Sequence, residues 1–167
     1  MSKVTLLYQP TAADWLEVKR RALVTIGKRP VAPPSEEWMR DILEARHSPI
    51  RYLRFSFLLE VPYWVSVHLC RHVHAQPYVK SQRNDRQNDY DRTKAPQDAP
   101  VVMILDMNGE EFLTIANKRL CNQTSEETRE VVQMMCDAVD EIYQPFLVPM
   151  CVYHGGVCHE MFSCHRS

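Results

Sequence analysis

The 167-residue chain is 45% hydrophobic and 25% charged, with a formal net charge of -1. This excludes a disordered segment, which lacks the apolar residues to build a core, and a protein that grips nucleic acid through a broadly basic face. No stretch reaches the roughly 18 consecutive apolar residues of a membrane span, and Met1 to Thr11 is too short and polar for a signal peptide, so one cytoplasmic domain over 1–167 is expected. There the cysteines stay mostly reduced, and Cys70, Cys121 and Cys136 read as small buried apolar residues.

Val4 to Tyr8 is β-prone and stops at Gln9-Pro10, which predicts a strand at a sheet edge. Thr11 with Asp14 opens a helix whose inner face carries Trp15, Val18, Ala22 and Ile26, and Gly27 ends it. After a proline-stiffened connection, Ser35 caps a second helix with Glu36 and Glu37 in its first turn and Trp38, Ile42 and Leu43 inward, ending near Ala45 to His47. Tyr52 to Glu60 carries apolar residues on both alternating sets, which predicts a strand buried on both faces. Pro62 to Cys70 is a short helix with Val65 and Leu69 on one side. The polar stretch Asn84 to Asp98 reads as a loop, and Ala99 to Met107 as a second buried strand. Asn108 with Glu111 has capping-box spacing and opens a helix that turns Phe112, Ile115 and Leu120 inward. Thr124 with Glu127 repeats the spacing and opens the longest helix, with Val131, Val132, Met135, Val139 and Ile142 as its stripe up to Pro145. This order of elements gives an α+β fold, a mixed or antiparallel sheet flanked by helices.

Chemistry concentrates in Arg71 to Arg83. Arg71 and His72 leave the end of a packed helix, and Lys80, Ser81 and Arg83 place two permanent charges and a hydroxyl within four residues, a set that suits a phosphate or carboxylate. Arg71-His72, then Val73, seven further residues and Ser81-Gln82-Arg83 resembles the signature of flavin-dependent thymidylate synthases, Arg-His-Arg, seven residues, Ser. The resemblance extends over most of the chain. His47-Ser48-Pro49 is similar to the family's His-x-(Ser/Thr)-Pro, and Arg92 to Pro96 to its Ala-Arg-x-x-Leu-Pro. Asn108 and Arg119 follow Arg92 at the family's separations. Cys121 to Arg129 is similar to Asn-x-Ala-Gln-Trp-Glu-Ile-Arg, with Glu127 and Arg129 matching its end. Four features depart from the pattern: Val73 replaces an expected cation, Val79 an acidic nucleotide contact, Thr114 an expected Asn, and the helical insertion before Arg92 is missing.

The resemblance implies reductive methylation of dUMP at C5, with FAD as cofactor and methylenetetrahydrofolate and NADPH as co-substrates, in a homotetramer whose sites are shared between subunits. It implies Arg119 and Ser81 as catalytic candidates, Arg119 stabilising charge on the pyrimidine and Ser81 positioning substrate. Substrate binding falls to these two with His68, Arg71, Lys80, Gln82, Arg83 and Arg92, and flavin binding to His47, Ser48, Arg71, His72, Val73, Asn108 and Thr114. His74 reads as exposed. The departures keep two alternatives: a flavin-dependent methylase of another pyrimidine nucleotide, and a non-catalytic nucleotide-binding paralogue.

The tail over 151–167 holds Cys151, Cys158 and Cys164 with His154, His159 and His165. Thiolate and imidazole suit zinc, but the spacing matches no standard motif, so the expected state is a packed, metal-free loop with the three cysteines as its only metal candidates. A rival built on that tail is a zinc module that binds single-stranded nucleic acid through Tyr78 and Tyr90.

Overall fold

The computed structural model describes residues 2–83 and 91–164. The first strand, β1 (Lys3–Tyr8), leads through Thr11 into α1 (Ala12–Val24). The Thr11 hydroxyl accepts from the Asp14 backbone N–H and the Asp14 carboxylate accepts from Thr11 N–H, so the reciprocal cap read from the sequence is present. The helix ends three residues before Gly27, whose φ of 69° turns the chain. Ile26 lies beyond that end and is 63% exposed, so it is not part of the inner face. Ser35 caps α2 (Glu36–Glu44) by accepting from Trp38 N–H. A 3-10 segment over Ser48–Tyr52 then feeds β2 (Arg54–Pro62), α3 (Tyr63–Cys70), β3 (Ala75–Val79) and β4 (Pro100–Asn108).

The sheet order is β1-β2-β4-β3, and every pairing is antiparallel, so the expectation of a mixed or antiparallel sheet resolves to antiparallel. β1 stands at the edge, as its sequence predicted. At the opposite edge β3 was not legible as a strand, because Pro77 interrupts it and lacks the N–H a central strand needs. β2 and β4 are buried on one face only. Phe55, Phe57, Leu59 and Val61 point into the core beside Val101, Met103, Leu105 and Met107, while Arg54, Glu60 and Val102 on the alternate positions are exposed. The helices cover one side of an antiparallel sheet, which corrects the two-faced burial expected for both strands.

Helix α4 (Gly109–Arg119) starts directly from β4, with Asn108 Oδ1 accepting from Glu111 N–H at 2.9 Å. A Cβ at Gly109 would lie 2.7 Å from the Ile50 carbonyl oxygen, so only glycine lets this junction approach the 3-10 segment. Helix α5 (Glu126–Asp137) is capped at Ser125, not Thr124, whose hydroxyl instead donates to the Lys118 carbonyl. It ends at Asp137 and is one residue shorter than α1, so the stripe to Pro145 is not one long helix. Its Val131, Val132 and Met135 are fully buried, and the chain closes through a second 3-10 turn at Glu141–Tyr143 and a short α6 (Met150–Tyr153). Phe112 packs on Phe55 and Phe57 with ring centroids 4.9 and 5.4 Å apart, and Trp15 Nε1 donates to the Tyr143 hydroxyl inside the core.

Of the cysteines expected in the core, Cys136 is buried and its thiol is pushed up to about 12 by burial, whereas Cys70 is exposed and Cys121 half-buried. All six are free thiols. Among the described residues no helix is long and apolar enough to cross a membrane. The residues of the predicted 84–98 loop over 84–90, Tyr90 included, lie outside the described residues, as does His165; residues 91–98 form turns and irregular chain as expected.

Candidate active site

The last turns of α3 and α4 meet above the start of α5. Arg119, from the end of α4, donates from Nε to His72 Nε2 at 3.0 Å and from Nη2 to the His68 carbonyl at 3.0 Å. The second bond satisfies a last-turn carbonyl of α3, a group that helix geometry leaves without an internal partner. His72 Nδ1 lies 3.2 Å from Glu111 Oε1, and both side chains are at most a tenth exposed. Because Arg119 can only donate, His72 Nε2 must be an acceptor; the ring is neutral and its proton sits on Nδ1, facing the carboxylate. Burial first, and Arg119 second, push the His72 pKa down to about 4. Burial also raises the Glu111 carboxyl and lowers the Arg119 guanidinium, the latter with help from Arg71.

His68 is tied from the other side. Its Nδ1 lies 3.0 Å from Thr128 Oγ1, which accepts from Ser125 Oγ at 3.0 Å. The Thr128 oxygen keeps a second lone pair and its own proton, so it serves either tautomer of the His68 ring. Burial first, then the charges of Arg119 and Arg71, lower the His68 pKa. His68, His72 and Arg119 line one cavity of about 340 Å³ with Gln123, Thr124 and Ser125. The remaining Arg119 N–H groups give this cavity charged donors. It suits a ligand edge made of carbonyl oxygens.

The other sequence-predicted residues fall elsewhere. Gln82, Arg83 and Arg92 share a cavity of about 470 Å³ with Tyr63, at the start of α3. Lys80 and Ser81 are not in its lining; Lys80 N–H donates to the Val102 carbonyl, and the Ser81 hydroxyl accepts from Arg83 N–H at 3.3 Å. Asn108 and Thr114 share a cavity of about 270 Å³ with Glu111 and His74, so His74 is exposed yet joins the flavin-assigned pair. His47 and Ser48 line a separate cavity of about 500 Å³ between α1 and α2. Arg71 is exposed beside the Arg119 cluster, and Val73 is 84% exposed and lines none of these cavities.

Sequence reasoning missed Glu111 and Thr128 as site residues. Glu111 was read as half of a capping box; its side chain turns to His72 instead, and only the Asn108 half forms. In the last block the matching residues Glu127 and Arg129 flank Thr128, and it is Thr128 that is fully buried against His68. The tail folds back so that Cys151, Cys158, Cys164, His154 and His159 line a cavity of about 230 Å³ with Cys121. Among the described residues no three His, Cys, Asp or Glu side chains converge to hold a metal ion.

This chain has the fold of the flavin-dependent thymidylate synthases, here a four-stranded antiparallel sheet with helices on one face. No protein family model matches the sequence, and no curated protein matches it significantly. Thymidylate synthase X from Helicobacter pylori, solved with FAD and dUMP, superposes with a TM-score of 0.68 at 12% identity, over 88% of this chain and 97% of that one. A UMP/dUMP methylase, PolB from Streptomyces cacaoi, solved with 5-Br dUMP, superposes with a TM-score of 0.66 at 13% identity, over 83% of this chain and 89% of that one.

Proposed function

We propose that this protein is a flavin-dependent methylase of a pyrimidine 5′-monophosphate, dUMP in the first instance, working as a homotetramer. The observation that carries the reading is Arg119, half-buried and anchored by donating to His72 Nε2 and the His68 carbonyl, with its remaining donors on a cavity, the residue that the family resemblance gives to the pyrimidine. Arg119 donates to a ring carbonyl, with His68 completing the pocket, and stabilises the negative charge that develops as C5 attacks the one-carbon unit. Arg83 and Arg92 hold the phosphate with Gln82. Ser81 positions substrate; among the described residues its hydroxyl accepts from the Arg83 backbone N–H and no general base stands against it, which is not the setting of a nucleophile. The two arginine groups stand at opposite ends of α3, a helix about 12 Å long. A pocket completed by a second subunit follows the family resemblance, in which sites are shared between subunits.

The chemistry of the donor set fits a flavin edge. Asn108 keeps its Nδ2 donors after Oδ1 caps α4, and Thr114 keeps acceptor lone pairs after donating to the Glu110 carbonyl. A bound flavin, once reduced by NADPH, would supply the reducing hydride, with methylenetetrahydrofolate as carbon donor. The chain's part is to orient the nucleotide and balance its charge. The reading is tested by the visible spectrum of the purified chain with added FAD and then dUMP. A flavin spectrum that survives gel filtration and shifts with dUMP, followed by tritium release from C5-labelled dUMP, is expected. A folded chain that retains nucleotide but no flavin would move the function to a non-catalytic binding protein. Tritium release from labelled UMP at an equal rate would widen the substrate to ribonucleotides, as the name of the Streptomyces methylase describes for that enzyme.

A further inference from the structure

Between the cavity of Asn108 and Thr114 and the cavity of His68 and Arg119 lies one continuous polar line through the protein. Glu111 lines the first cavity, His72 and Arg119 line the second, and the three side chains are joined Glu111 to His72 to Arg119 at 3.2 and 3.0 Å. Glu111 is 5% exposed, and burying a carboxylate there is costly unless it serves a partner. Nothing in the helix requires it: the N-terminus of α4 is already capped by Asn108. We propose that Glu111 is the positioning residue of this site, holding His72 as the Nδ1–H tautomer so that Nε2 receives Arg119 Nε–H and aims the guanidinium into the cavity. Without the carboxylate, the His72 proton moves freely to Nε2, where it meets the Arg119 N–H head-on. Two donors then face each other and the arginine swings away. Carboxylates behind metal-binding imidazoles fix tautomer and ring orientation in the same way, and their loss there typically costs about 10–100-fold in metal affinity or activity, the scale expected here.

The inference rests on the reading of Arg119 as the pyrimidine contact, and the experiment separates the two. The ¹⁵N shifts of the His72 ring in the full chain report the tautomer with no ligand present; a protonated Nδ1 and an acceptor Nε2 are expected, and the reverse would overturn the proposal. Glu111→Leu should abolish that preference and weaken dUMP binding about 10–100-fold. Glu111→Gln, whose amide oxygen still accepts from Nδ1–H, should restore the tautomer and most of the affinity. If Glu111→Leu does not fold, the comparison of wild type with Glu111→Gln still decides, since a Gln variant with the wrong tautomer and full dUMP affinity would remove Glu111 from the argument. Should wild type show the expected tautomer and no affinity for dUMP, the nucleotide reading fails while the role of Glu111 toward Arg119 stands.

Discussion

A neutral imidazole wedged between an arginine and a carboxylate is an acid-sensitive part of the fold. The His72 pKa is held at about 4 by burial and by Arg119, against about 6.5 in an unfolded chain. Between those values the unfolded chain binds a proton that the folded chain refuses, so His72's contribution is fully present above pH 6.5 and is lost as pH falls toward 4. Lowering the pH from 7 to 5 therefore costs on the order of 1–2 kcal/mol through this residue. The charged groups around it are Arg119, Arg71 and Glu111, the last flanked by His74 and Glu110. Glu111, raised by burial, acts in the opposite sense, losing stability as pH rises above the ordinary carboxyl range. Replacing His72 by Asn removes the titrating ring while leaving a donor for Glu111. The difference in urea-unfolding free energy between pH 7 and 5 should shrink by the stated amount in that variant. An unchanged difference would mean that the folded chain tolerates a charged His72.

At the scale of elements, the junction between β4 and α4 fixes where the site forms, because it sets the first residue of the helix that ends in Arg119. Gly109→Ala places a methyl 2.7 Å from the Ile50 carbonyl and 3.2 Å from Leu53 Cβ. Backbone cannot move aside as a flexible side-chain end does, so the strain of about 1–3 kcal/mol outweighs the roughly 1 kcal/mol that Ala gains over Gly in a helix. A melting temperature several degrees below wild type is expected by calorimetry, and an equal or higher one would show that the 3-10 segment yields. Local rules carried much of the element reading. Thr11, Ser35 and Asn108 cap the helices the sequence assigns to them, since capping is decided within four residues. The failures are where the outcome depends on distant chain. Whether β2 has one or two buried faces depends on where helices pack, and β3 exists because β4 offers it a partner across a gap of 20 residues. Arg119 and His72 were each legible as site residues by resemblance. Their hydrogen bond, across 47 positions, and the carboxylate behind it were not, because no sequence period links the ends of α3 and α4.

For the whole molecule, Arg119 lines one cavity and Arg83 and Arg92 another, and a site shared between subunits has a direct kinetic consequence. If the chain assembles as the proposed homotetramer and dUMP takes its pyrimidine contact from Arg119 of one subunit and its phosphate contacts from Arg83 and Arg92 of another, no single chain owns a complete site. Arg119→Ala and Arg83→Ala homotetramers should then each be severely impaired, the first by about 10²–10³ in turnover through lost charge stabilisation. The second should lose dUMP affinity far more than deoxyuridine affinity, by roughly tenfold or more for one charge-assisted hydrogen bond. Unfolding and refolding a 1:1 mixture of the two variants makes mixed tetramers. A site that draws Arg119 from an Arg83→Ala chain and Arg83 from an Arg119→Ala chain is wild type at both positions, and random assembly makes about a quarter of the sites so. Tritium release should therefore recover to about that fraction of the wild-type rate. If both arginines served one site from the same chain, every site in the mixture would carry one defect and the rate would stay at the level of the separate variants.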